Sequence, residues 1–87
     1  MKTAEVDIYY ESKDSAVIRH PKRKYPGVLI QGNSLRDLTA MADDACFAVE
    51  SGDNEKALNL INEVSDILRE HRITYENALK ANDIPLP

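Results

Sequence analysis

Residues 32–71 read GNSLRDLTAMADDACFAVESGDNEKALNLINEVSDILREH, and this stretch decides the fold. Leu35, Leu38, Ala42, Ala45 and Val49 recur at steps of 3-4-3-4, so they share one face of a helix. Ser34 is a good N-cap, with Asp37 three residues later as its capping-box partner. That places the first helix at about 35–51. Gly52 then ends it, and Asp53 caps the next. In the second helix, about 54–81, Ala57, Leu60, Ile61, Val64, Ile67, Leu68 and His71 form one stripe, continued by Tyr75, Ala78 and Leu79. A link of so few residues forces an antiparallel helical hairpin. At 1.5 Å per residue the helices are about 26 and about 42 Å long, so the second overhangs by about three turns. Either the chain kinks near Arg72-Ile73-Thr74, or the overhang packs on a sheet or on another copy.

Upstream the period changes from 3.6 to 2. In AEVDIYY, residues 4–10, Ala4, Val6, Ile8 and Tyr10 point one way, and Glu5, Asp7 and Tyr9 the other. Such alternation makes a half-buried strand. The polar ESKDS that follows is a turn. AVIRH, 16–20, is a second strand, and the rigid basic loop HPKRKYPG leads to VLIQ, 28–31. The last is apolar on both faces at its start and reads as the most buried strand. Short links give an antiparallel meander. The fold class is therefore α+β, a three-stranded antiparallel β-meander followed by a two-helix antiparallel hairpin (β-β-β-α-α). Pro85 and Pro87 end it without further structure.

Eighty-seven residues make one domain, 1–87. A composition 43% hydrophobic and 30% charged is globular rather than disordered. The single cysteine, Cys46, rules out an internal disulfide and fits the reducing cytoplasm. No signal peptide is expected at Met1–Asp7, which meets acids where an apolar run belongs. No stretch approaches the roughly 20 apolar residues of a membrane span. The net charge of −4 is unevenly spread. Residues 1–36 hold seven Lys/Arg and four Asp/Glu, whereas 37–87 hold four and eleven. The acidic helical half steers toward basic partners and repels nucleic acid.

Few residues invite chemistry. Arg19, His20, Lys22, Arg23 and Lys24 form a basic loop with Tyr25 as its one interleaved ring. It is a solvated hairpin tip or, more sharply, an anion or nucleic-acid site. Gly32 and Asn33, ahead of a helix N-terminus, offer backbone N–H groups to an anion, but no phosphate-loop motif accompanies them. One Cys and two scattered His give no metal-ligand spacing. Cys46 flanks the core stripe and reads as a small buried hydrophobe. His71 lies on the apolar face. No nucleophile–base pair can be argued, so neither catalysis, a metal nor a cofactor is expected. On the back of the first helix, Ala40, Met41 and Phe47 point away from the core stripe, among Asp43, Asp44 and Glu50. A helix apolar on two sides is sandwiched between layers or exposes a contact surface. Leu58 and Ile73 point off the second stripe in the same manner.

Residues 19–35, RHPKRKYPGVLIQGNSL, resemble the signature of a family of short bacterial proteins of unknown function, Arg-x-Pro-x-Arg-x-x-Pro-Gly-Val-x-Ile-Gln-Gly-Asp-Ser-Leu. Asn33 replaces the more usual Asp, which keeps the capping and removes a charge. The resemblance covers about a fifth of the chain. It implies no catalytic activity and a bacterial or phage source, and such proteins resemble small immunity proteins kept near secreted toxins. It also draws attention to Arg19, Arg23 and Gln31. More weakly, Glu50–Leu58 resembles the turn between helices of tetratricopeptide repeats. A single turn is a hairpin signal and not an array.

The leading expectation is a non-enzymatic protein-binding module, an immunity protein that covers the basic cleft of a cognate toxin. Asp43, Asp44, Glu50 and Glu63 would steer, and Met41 and Phe47 would anchor. Two alternatives stand beside it. One is a small nucleic-acid or anion-binding regulator using Arg19, Lys22, Arg23 and Lys24 with Gly32 and Asn33, a reading the overall acidity disfavours. The other is a homodimeric structural protein that uses the overhang of the second helix.

Overall fold

Val17 is the side chain around which the strands organise. The computed structural model describes residues 1–87. It runs β1 (Asp7–Glu11), β2 (Ser15–Arg19), β3 (Gly27–Ile30), α1 (Gly32–Glu50) and α2 (Asn54–Ala81). This is the predicted β-β-β-α-α arrangement. Its contacts divide it into two compact units, Met1–Ile30 with His71–Pro87, and Gln31–Glu70.

The first unit is an antiparallel sheet of order β1-β2-β3 closed by the end of α2. β2 is central and carries the buried Ala16 and Val17. β3 is an edge strand that exposes Gly27 and Leu29, so the expectation that it is the most buried strand is corrected. Only the middle strand has neighbours on both sides. Val17 and Leu79 are wholly buried and pack with Ala78, against which Tyr9, Tyr75 and Ile84 lie. The helix is thus continuous past Arg72-Ile73-Thr74, and its overhang packs on the sheet.

The predicted facing of β1 is also corrected. Ile8 pairs with Ile18, but Tyr10 pairs with Val17, so Tyr9 is the extra residue of a β-bulge. The bulge turns Tyr9 onto the core. Ile8 shares the opposite face with Ile18, Ala16 and Leu29, because paired residues point the same way. Ile8 and Leu29 are each 56% exposed there.

The second unit is the helical hairpin. α1 begins at Gly32, earlier than predicted. The Leu35 N–H donates to the Gln31 carbonyl at 3.0 Å. Gln31 supplies no side-chain cap, and Ser34 lies inside the first turn rather than capping it. The far end follows prediction. Gly52 has φ +81°. Its N–H donates to the Val49 carbonyl at 3.0 Å, and that of Asp53 to the Ala48 carbonyl at 2.8 Å. This is a Schellman ending. The Asp53 carboxylate then accepts from the Lys56 N–H at 3.1 Å and caps α2. α2 ends by the same device, with Asp83 at φ +55° and the Ile84 N–H donating to Leu79 at 2.9 Å.

Three substitutions separate these contributions. Leu79→Ala should cost about 3 kcal/mol, because it empties a fully buried site. Gly52→Ala should cost about 1 kcal/mol from left-handed backbone alone, since a Cβ there meets no atom within 4 Å. Leu29→Ala should change stability by less than about 0.5 kcal/mol. Urea midpoints would rank them, and a silent Leu79→Ala would contradict the packing described.

Candidate interaction surfaces

On α1 the buried side chains are Leu38, Ala45 and Ala48, with Met41 half-buried between them. This stripe is rotated from the predicted one. Leu35 and Val49, expected in the core, are each 55% exposed, and Ala42 is exposed too. Met41 follows Ala40 by one residue, and a 100° step takes it from the back of the helix to its buried side. It is therefore not the outward anchor expected of it. Cys46, predicted buried, is exposed beside Ala42 and Val49.

Phe47 does face outward and is 70% exposed. Its helical neighbours at i−4, i−3 and i+3 are Asp43, Asp44 and Glu50, all exposed. An uncovered aromatic ring ringed by carboxylates offers apolar area together with a negative field. Glu63 is also exposed, but it stands on the flank of α2 away from Ile61 and Leu68 and lies outside that stripe.

The hairpin has a second surface. Ala42, Ala45, Cys46 and Val49 of α1 and Ile61 and Val64 of α2 line a groove of about 260 Å³. Ile61 and Leu68 are each 50% exposed. The stripe of seven residues in α2 is thus only partly covered. Its inner edge, Ala57 and Leu60, turns inward, and its outer edge stays open. Sequence reasoning placed these residues on one face correctly but assumed that a single partner helix covers the whole of it.

In the sheet unit, Ile18, His20, Arg23, Tyr25, Gly27, Val28 and Leu29 surround a hollow of about 330 Å³ at the β3 edge. The His20 carbonyl accepts from the Arg23 N–H at 2.9 Å, and its Nδ1 from the Lys22 N–H at 3.3 Å. Lys24 Nζ stands 5.4 Å from the centroid of the Tyr25 ring. Of the predicted basic loop, His20 and Arg23 line the hollow, whereas Arg19, Lys22 and Lys24 do not. Arg19 reaches Asp7 at 3.4 Å and lies 5.7 Å from the Tyr9 ring. That local cluster draws it away from the loop. Gly32 and Asn33 form the first turn of α1 and belong to the other unit.

No group of three or more His, Cys, Asp or Glu side chains is placed to hold a metal ion. No helix is long and apolar enough to cross a membrane. No curated protein and no solved structure matches the chain. A family model covers its whole length, residues 1–87, and by that match the chain belongs to DUF6959, a family of unknown function.

Proposed function

We propose that this chain is a non-enzymatic protein-binding module acting in the cytoplasm, and that its partner is a basic protein, most specifically a cognate toxin that it neutralises. The observation that supports this reading is Phe47. The only phenylalanine of the chain is left in solvent on a helix where Asp43, Asp44 and Glu50 surround it. Burying a large aromatic side chain gains about 2–3 kcal/mol, so leaving it in water is costly unless a partner covers it. The carboxylates around it accelerate encounter with a positive surface and reject negative ones.

Co-expression with the product of the adjoining open reading frame tests this. The chain should form a complex with that product and relieve any growth arrest it causes. Phe47→Ala should weaken the complex by about 30-fold, the loss typical of a central anchor. Reversing Asp43 and Asp44 to Lys should slow association and flatten its salt dependence. A complex that ignores all three changes would contradict the assignment of this face.

A second reading rests on the hollow beside Arg23, Tyr25 and His20, which presents a guanidinium cation, an aromatic ring and an imidazole to an anion. Anisotropy with a single-stranded oligonucleotide at about 50 mM salt distinguishes it, because electrostatic binding is strongest there. Binding abolished by Arg23→Ala would favour it. The protein-binding reading expects none.

A further inference from the structure

The open face of the hairpin remains unexplained by Phe47, which points the other way. Around α1, Ala48, Met41, Ala45 and Leu38 are followed without a gap by Val49, Ala42, Leu35 and Cys46. At 100° per residue these eight positions span an arc of about 160°. The first four are covered to differing degrees and the last four are open. A single neighbouring helix covers only about half of so wide an arc. The heptad steps of Leu35, Leu38, Ala42, Ala45 and Val49 match those of Ala57, Leu60, Val64, Ile67 and His71. That 3.5-residue period is the packing period of helical bundles.

We infer that the uncovered face is the interface with a second copy of this chain, two hairpins pairing into a four-helix bundle centred on Val49, Ile61 and Leu68. The area is adequate. Leu35, Val49, Ile61 and Leu68 are 50–55% exposed, and with Ala42, Cys46 and Val64 they leave about 500 Å² of apolar surface in one patch. A specific interface of standard size buries about 800 Å² per partner, a little over half of it apolar, which is close to that figure. The need is also present. The hairpin unit, Gln31–Glu70, has no disulfide, since Cys46 is free. A chain of 87 residues buries only about 60–65% of the surface its unfolded form exposes, so a second copy over an open apolar face adds core that the chain otherwise lacks. A self-complementary face of this kind is what an isologous two-fold interface needs. The bundle leaves Phe47 and its carboxylates on the outside, so both surfaces operate together.

Sedimentation equilibrium and thiol labelling of the wild-type chain test this without any substitution. The mass should rise from 9.8 kDa toward twice that value with concentration. Over the same range the rate of Cys46 alkylation should fall by about tenfold or more, as the thiol becomes covered. Ile61→Asp should give a monomer with a lowered urea midpoint and weakened helical circular dichroism, while Phe47→Asp should leave the dimer and its midpoint unchanged. A wild-type chain that stays monomeric at about 1 mM, a protein–protein affinity below the useful range, would overturn the inference. So would a dimer indifferent to Ile61→Asp, which would place its interface elsewhere, or protection of Cys46 only in complex with a different protein. Loss of toxin binding by Phe47→Ala with the dimer unchanged would leave this inference standing, so the two readings fail separately.

Discussion

The structure of the helical hairpin depends on a mismatch between the width of its apolar stripes and the surface that one neighbouring helix covers. A globular helix needs an apolar arc of about 100° to face one core. α1 carries a wider arc, and its exposed half contains Leu35 and Val49 rather than only alanines. Small residues line the closed side: Ala45, Ala48 and Ala57 are all buried. Alanines allow close approach near the turn but contribute little buried area. Leu38 is buried with them, but Leu35, Val49, Ile61 and Leu68 stand on the open side, each half exposed or more. A further layer over the open side adds the burial of Leu35, Val49, Ile61 and Leu68 to that of the closed side.

The sheet unit solves the same problem within the chain. Three short strands are marginal alone, and a helix packed on one face makes them stable. The continuation of α2 past His71 supplies that helix, so Leu79 and Ala78 meet Val17. The Schellman ending then folds Ile84 back onto the same cluster. One long helix therefore serves two cores, its first half in the hairpin and its last three turns under the sheet.

Much of this is legible in the sequence, for particular reasons. The helices follow from apolar spacing, and the turn at Gly52-Asp53 from a glycine that tolerates positive φ before a capping carboxylate. The length of α2 follows from an unbroken stripe ending before Pro85. The failures are equally specific. A one-residue bulge inverts the facing of β1, and alternation carries no signal for the insertion of Tyr9. The apolar VLI suggests a buried strand, but edge position is a property of strand order, and β3 lies at the edge. Met41 lies nearer the buried side of α1 than a place on its back implies, and Cys46, on the flank of the stripe as expected, falls in its open half. The width of an apolar arc fixes neither where one partner helix sits within it nor how much of the arc that partner covers.

Phe47 and the open hairpin face stand on different sides of α1, so the proposed recognition of a foreign protein and the inferred pairing with a like chain use separate surfaces. If the hairpin core is completed by a second copy, folding and association are coupled, and stability depends on concentration. The most direct measurement is therefore the urea midpoint followed from about 1 to about 500 μM protein, with association contributing about 1.4 kcal/mol per tenfold increase. The midpoint should climb steadily with concentration. A midpoint that stays constant over that range would show that the hairpin is complete as a single chain and would contradict the account.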